Sequence, residues 1–535
     1  MNNSLLLMGL VILICILLKR FIEKLPVPSL IIFIALGMLF GENGLLRIQF
    51  NDYEAVNTIC SVSLVFIMFY GGFGTNIKAA RPVLTQSVLM STFGVVGTAC
   101  IVAFLSHSLL KLPWLESFLI GSVISSTDAA SVFNILRSQK LALKYNTDSL
   151  LEVESGSNDP MSYMLTSVTL ALLSGYSISI PALLAQQMII GILCGTFLGW
   201  FAIKMLHRQF LPSQQSHTIF LIAIMLLAYS VPAQLNGNGY LSVYLCGIII
   251  GNAKLPQKKY LVHFFDVLTD VSQVIIFFLL GLLVTPTELS SVILPAVILM
   301  MILTFIARPL VSTVLLVPFK SKPSQIILIS LAGLRGAASI VFAISAELSG
   351  VSTHYNLYNL VFCMVLISIS IQGSILPFAA KKLKMIDHSS DIGRTFNDYE
   401  EDSDIHFIKL HIENEHFWCG KTLSQLKLPP DLLVAMIVRK QEIIIPNGAT
   451  VLEVGDLLVL AARSFEDREH LKLQEYVVDN SNSIINKPLS SVSQVHTNRI
   501  IIIKRGIDTI IPDGDTILKP GDIVVTAKAS DKKNK

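Results

Sequence analysis

Apolar runs long enough to cross a bilayer, roughly 20 residues each, recur from the N-terminus to about residue 380. That recurrence decides the solvent before any motif is read. Inside the hydrocarbon core, about 30 Å thick, no water satisfies a free backbone, so such runs must be helices. Composition agrees: 53% of residues are hydrophobic and 14% charged, with a mean hydropathy of +0.65, whereas soluble domains carry about 25% charged residues. The expected fold class is an all-α polytopic membrane protein of about 13 transmembrane helices. Their expected centres are near residues 12, 35, 64, 95, 126, 163, 192, 226, 246, 275, 303, 336 and 369. The first segment, LLLMGLVILICILL, lacks a basic flank and a small-residue cleavage site and is read as a retained helix.

Basic residues check the count. Lys19, Arg20 and Lys24, then Lys78 and Arg81, then Arg137, Lys140 and Lys144, then Lys204 and Arg208 fall in alternate loops. Lys254, Lys258 and Lys259, then Lys320 and Lys322, then Lys381, Lys382 and Lys384 continue the series, against only Arg47 and Lys111 in the intervening loops. The positive-inside rule puts the richer set in the cytoplasm, with the N-terminus outside and the C-terminus inside the cell membrane. The net charge of +3 is thus topogenic. No stacking aromatics interleave the basic residues, which argues against nucleic acid as a partner. The seven cysteines are scattered without metal-ligand or redox spacing and are assigned no chemistry.

After Lys384 the composition turns acidic and polar, and residues 386–403 read as a linker between a membrane domain (1–385) and a cytosolic α/β tail. The tail holds two similar passages, 404–470 and 471–535. Pro446 and Pro512, Asp456 and Asp522, and Lys421 and Lys487 each stand 66 residues apart, an internal repeat with PNG or PDG turns and a G-D turn in each copy. The pattern resembles the C-terminal lobe of the regulator-of-potassium-conductance module (RCK_C, or TrkA-C), more closely in the first copy. That resemblance implies a regulatory lobe that dimerises and binds a small ligand, a nucleotide or cyclic dinucleotide among the options. The plainer alternative is a tail that only assists dimer assembly.

An ionisable side chain at mid-bilayer costs at least about 2.5 to 3.5 kcal/mol, so it normally faces a cavity or a partner. Three stretches carry such groups: ISSTDAASVF (124–133) with Thr127 and Asp128, LEVESGSNDPMSYM (151–164), and AGLRGAASIVFAI (332–344) with Arg335. On a helix Ser155 and Asp159 share a face, as do Glu154 and Asn158. A buried Arg335 needs an anion, Glu154 being the first candidate and Asp128 or Asp159 the competing choices. DAASV (128–132) and GAASI (336–340) match, seven segments apart and therefore antiparallel. This is the signature of inverted repeats whose crossed, broken helices meet near the midplane. Carboxylate, hydroxyl and carbonyl oxygens are hard ligands suited to a small cation. In a low dielectric a carboxylate titrates nearer neutrality, so proton and cation compete for one group, which is antiport.

SSTDAASVF, ESGSNDPMSYMLT, HFFDVLTDVSQVIIFFLLGLLV and GLRGAASIV, in that order, resemble the motifs of monovalent cation/proton antiporters. The resemblance covers the whole membrane part and falls in the NhaP-like branch, nearest the cell volume regulation protein A type, a potassium/proton antiporter. It implies a homodimer with an elevator-like core, no cofactor, and transport of K+ or Na+ against H+. It also implies an ion site at Asp159 with Asp128, Thr127, Ser155 and Asn158, a structural ion pair of Glu154 with Arg335, and electroneutral exchange because Asn158 precedes the aspartate. Arg308, Asp266, Asp270 and Gln273 match family positions too; Arg308 is expected to be structural, and Asp266, Asp270 and His263 to be interfacial. One departure stands out: where relatives carry an acidic residue near FYGGFGTN (69–76), this chain has Tyr70 and Gly74. Two readings from other classes are weighed against antiport. An RCK-regulated cation channel lacks a TVGYG-type filter here, and an intramembrane aspartyl protease would need Asp128 and Asp159 to share a proton.

Overall fold

The computed structural model describes residues 9, 13, 29–41, 52–128, 131–132, 135–136, 141–175, 179–207, 214–253, 255 and 258–387 of the first unit. In the tail it describes residues 405–412, 416, 418–426, 428, 432–439, 442–463, 472–478, 488–489, 498–505, 508–510, 512 and 516–528. The centre of the first expected segment, the basic groups at 19–24 and 137–140, most of the linker and Lys487 lie outside these residues. The chain divides into two compact units, Met1–Tyr399 and Glu400–Lys535.

The first unit is helical. Helices α1 (Ser29–Phe40) and α2 (Tyr53–Gly74) are followed by α3 (Leu84–Leu110), which contains a π-helical turn at Met90–Gly94. Helix α4 (Trp114–Ile124) stops at a break, and α5 (Thr147–Leu173) follows. Next come α6 (Ile180–His207), α7 (Gln214–Gln234), α8 (Gly239–Gly251) and α9 (Lys258–Leu283). Helix α10 (Pro286–Phe319) passes through a second π turn at Leu303–Ala307. Helices α11 (Pro323–Leu331) and α12 (Ala337–Leu348) are separated by another break, and α13 (Leu357–Lys382) holds a third π turn at Ser368–Gln372. Seven described helices are long and apolar enough to cross a membrane, and four more are apolar but shorter. Helix α5 is 27 residues long, but is not apolar enough to join that set.

Local chemistry sets several helix ends. The Asp52 side chain accepts from Ala55 N at 2.9 Å and opens α2. Asn238 does the same for α8 at Leu241 N and donates to the Pro160 carbonyl at 2.7 Å, tying α8 to α5. Helices α2 and α8 touch backbone to backbone: a Cβ on Gly72 would collide with the Tyr244 carbonyl, so the small residue sets the approach. Ile386 and Asp387, assigned to the linker from sequence, instead pair with Leu143 and Ala142 in a short antiparallel ladder. The membrane unit therefore runs past 385.

The tail forms two four-stranded antiparallel sheets. The first contains β3 (Ile405–His411), β4 (Leu432–Arg439), β5 (Glu442–Ile444) and β6 (Leu457–Arg463), in the order β3-β6-β4-β5, numbering the short ladder above as β1 and β2. The second contains β7 (Lys472–Val477), β8 (Asn498–Arg505), β9 (Asp508–Ile510) and β10 (Ile523–Lys528), in the order β7-β10-β8-β9. The order is the same in both. Gly455 and Gly521, at φ of 89° and 88°, make the two G-D turns with a backbone that favours glycine. The aspartates that follow are held alike: Arg439 forks onto Asp456 at 2.7 and 2.8 Å, and Arg505 onto Asp522 at 2.8 and 2.7 Å. Burial favours the neutral Asp456 carboxyl, but its bonds from Arg439 and Glu453 N outweigh this and hold it below the usual carboxylate range.

Candidate ion-binding site

The breaks after α4 and α11 create the site. An interrupted helix leaves carbonyls and amides without intrahelical partners, and in lipid each must be satisfied by protein. The two breaks satisfy each other at one point, where Asp128 N donates to the Leu334 carbonyl at 2.8 Å. Side chains supply the rest. Arg335 Nη1 donates to the Ser126 carbonyl, and Ser155 Oγ donates to the Thr127 carbonyl at 2.7 Å. Ser162 Oγ reaches the Ser122 carbonyl at 2.6 Å. Gly336 is required at the crossing, since a Cβ there would collide with the Asp128 carboxylate.

Beside this crossing lies a cavity of about 140 Å³. Ser126, Thr127, Asp128, Ser155 and Asp159 line it, together with Gly336–Ala338 from the start of α12. Asp159 Oδ1 accepts from Ser126 Oγ. Asp128 accepts from Ser131 N at 3.1 Å and Ser131 Oγ at 2.6 Å, so a local turn orients its carboxylate. Asn158 stands behind the wall, 1% exposed, with its Nδ2 donating to Thr127 Oγ1. The geometry thus brings Thr127, Asp128, Ser155, Asn158 and Asp159 together.

It gives Glu154 a different hydrogen-bonded partner from the expected Arg335. Glu154 Oε1 accepts from Arg308 Nη1 at 2.7 Å, and both side chains are buried, at 1% and 3% exposure. Arg308 stands directly after the π turn of α10, and its Nη2 also points to the Ile329 carbonyl near the end of α11, at 3.4 Å. The expected Glu154–Arg335 pair is therefore corrected to Glu154–Arg308. Arg335 is drawn elsewhere by the carbonyl that the broken helix leaves open. Its own amide donates to Ser368 Oγ at 3.0 Å, and a chain runs on from Ser368 to Gln372 and from Gln372 to Thr304. Those three residues sit in the π turns of α13 and α10, and such turns favour functional positions.

Asp266 and Asp270, expected at the membrane interface, also line the cavity, with Thr269 and Gln273. Tyr70 lines it too, and its hydroxyl donates to Asp266 Oδ1 at 2.8 Å. The tyrosine that replaces the expected acidic residue therefore anchors a carboxylate on the neighbouring helix. Ser126 escaped sequence reading altogether, although the SST run directly before Asp128 was its signal.

The family model for the transmembrane part of sodium/hydrogen exchangers matches residues 9–382. The chain belongs to the sodium/hydrogen exchanger family. The K(+)/H(+) antiporter NhaP of Alkalimonas amylolytica is 37% identical over 387 residues, covering 72% of this chain and 67% of its own. The K(+)/H(+) antiporter NhaP2 of Shewanella sp. (strain ANA-3) is 34% identical over 466 residues, 85% of this chain and 80% of its own. The structure of the sodium proton antiporter MjNhaP1 from Methanocaldococcus jannaschii at pH 8 superposes with a TM-score of 0.64 at 24% identity. That match covers 71% of this chain and 99% of the other, which shows a common fold. The TrkA-C domain model matches the exchanger twice, at 412–464 and 473–527, so the second copy belongs to the module as the first does. The exchanger is a multi-pass membrane transporter of the cation/proton exchange class and not an enzyme, which sets aside the channel and protease readings.

Proposed function

We propose that the exchanger carries K+, with Na+ as a second substrate, against H+ across the cell membrane, binding cation or proton alternately at Asp159. Asp128, Thr127, Ser155 and Asn158 complete or shape that site. The observation that carries this reading is a carboxylate on a cavity wall where two broken helices cross, surrounded by hydroxyl oxygens. Its volume of about 140 Å³ far exceeds the ~10–15 Å³ that one water needs, so the cation keeps part of its hydration and pays less to enter. Relatives named as K(+)/H(+) antiporters support potassium.

The exchanger works as a homodimer with an elevator-like core, takes one cation per proton, and needs no cofactor. These points rest on the motif resemblance, with Asn158 before Asp159 as the feature behind electroneutrality. The alternation of basic loops supports an N-terminus outside and a cytoplasmic tail. The two TrkA-C lobes support a small regulatory ligand, with a nucleotide or cyclic dinucleotide as the class to try first.

The test is proton movement in proteoliposomes under an imposed pH gradient, on adding potassium and then sodium, with the membrane potential either clamped at zero or left free. Cation-driven proton flux at equal rates in the two conditions supports electroneutral antiport. Cation permeation without proton movement overturns it.

A further inference from the structure

The break between α11 and α12 leaves the Arg335 amide without an intrahelical acceptor. Ser368 Oγ takes it, at 3.0 Å. A serine in a membrane helix commonly turns its proton back onto the carbonyl four residues earlier. Ser370 and Ser374 do so on the same helix, onto the carbonyls of Leu366 and Ser370. Ser368 instead gives its proton to Gln372 Oε1, at 2.6 Å, and meets Arg335 through a lone pair. Gln372 then turns its amide nitrogen to α10, donating to Thr304 Oγ1 at 2.9 Å. Ser368 is fully buried and Gln372 and Thr304 are each 9% exposed, so little water competes for these bonds.

The chain continues on the other side of Arg335. Arg335 Nη1 donates to the Ser126 carbonyl, and Ser126 Oγ donates to Asp159 Oδ1. A series of contacts thus runs from Thr304 through Gln372, Ser368, Arg335 and Ser126 to the carboxylate of the exchange site. The helix of Asp159 is referred to the same stretch of α10. Arg308, one turn beyond Thr304, holds Glu154 of α5 at 2.7 Å. Thr304 and Gln372 both stand in π turns, at Leu303–Ala307 and Ser368–Gln372, and such turns cluster at functional positions. One segment of α10 therefore fixes both partners of the Ser126–Asp159 bond, one through the ion pair and the other through Gln372.

We infer that Gln372, held by Thr304, is a positioning residue of the ion site: through Ser368 and Arg335 it sets Ser126 against Asp159. It touches neither cation nor proton. This inference rests on the exchange reading above and adds to it how the carboxylate is held. With Ser126 displaced, Asp159 still takes a cation, but with lower affinity. A merely structural contact between α10 and α13 would lower the amount of folded protein and leave the cation affinity of the remainder unchanged.

The experiment measures initial rates of potassium-driven proton flux against K+ concentration in proteoliposomes, normalised to folded protein. It compares wild type with Gln372→Met, Thr304→Val, Thr304→Ser, Ser126→Ala and Asp159→Asn, and with Gln372→Met placed on Ser126→Ala. Methionine keeps the length and removes the amide, and valine keeps the shape and removes the oxygen. The expected result for Gln372→Met and Thr304→Val is an apparent KM raised about fivefold, the net worth of one neutral hydrogen bond, with a maximal rate within about twofold of wild type. Thr304→Ser keeps the wild-type KM. On Ser126→Ala, Gln372→Met adds nothing further, whereas residues that do not touch act additively unless something couples them. A wild-type KM in Gln372→Met and Thr304→Val overturns the inference. So does a reduced maximal rate at unchanged KM, or the full KM effect on the Ser126→Ala background. Should Gln372→Met not yield folded protein, Thr304→Val takes its place, and should Ser126→Ala be inactive, the KM of Thr304→Val against Thr304→Ser decides alone. An active Asp159→Asn sinks the exchange site instead, so the two failures are told apart.

Discussion

Removing Arg308 should cost far more stability than its place outside the cavity suggests. The Arg308–Glu154 contact is 2.7 Å with both groups nearly out of solvent, so no discount for screening applies. Deleting one member of such a pair strands a buried charge, at about 3–5 kcal/mol. Arg308→Met keeps the length of the side chain and removes its charge, which isolates that effect from cavity formation. Adding Glu154→Gln to Arg308→Met removes the stranded charge and should recover most of the loss, because a neutralised pair is often close to neutral in net energy. Arg335 differs: its bond to the Ser126 carbonyl involves a neutral acceptor, worth about 1–3 kcal/mol when left open, and Glu154→Gln should not repair Arg335→Met. The assay is the monodisperse fraction surviving a heat step in detergent, compared as rates because unfolding of such proteins is rarely reversible. If Glu154→Gln rescues Arg335→Met better than Arg308→Met, the pairing is wrong and so is the reasoning from it.

Gly336→Ala should abolish exchange, since a Cβ there collides with the Asp128 carboxylate; initial flux rates check it. Asp456→Asn should destabilise the first tail lobe by about 1.5–3 kcal/mol, the range for hydrogen bonds to a charged group, read from the tail's own melting transition. Because the carboxyl of Asp456 is depressed in the folded state, the stability it contributes is fully present above the unfolded value near 3.9. It is lost as pH falls through the folded value. Melting of the tail should therefore be flat from pH 7 to about 5 in this contribution and fall only in more acidic solution, and loss beginning at pH 6 would contradict the assignment.

Much of the site was legible because its chemistry is expensive in lipid. Asp128, Asp159 and Arg335 stand out in apolar runs, and the matching DAASV and GAASI stretches pointed to two breaks that do meet, at Asp128 N and Leu334 O. The 66-residue offset predicted twin lobes, and Arg439 and Arg505 repeat at that same offset. Partner choice was not legible. Two arginines compete for Glu154, and what decides is the open carbonyl of Ser126, a backbone group that no side-chain pattern announces. The polar stripe of α9, with Asp266, Thr269, Asp270 and Gln273 at helical spacing, was legible, but what it faces was not: spacing shows that polar groups share a face and leaves open whether that face meets a boundary or a cavity.

The central claim is that Asp159 is where cation and proton alternate. It is tested most directly by potassium-driven proton flux in proteoliposomes carrying wild type or Asp159→Asn, each first shown to elute as the same folded species. Flux is expected in the wild type and none above empty liposomes in the variant. Exchange by Asp159→Asn at the native rate would contradict it and move the site to another carboxylate of the cavity.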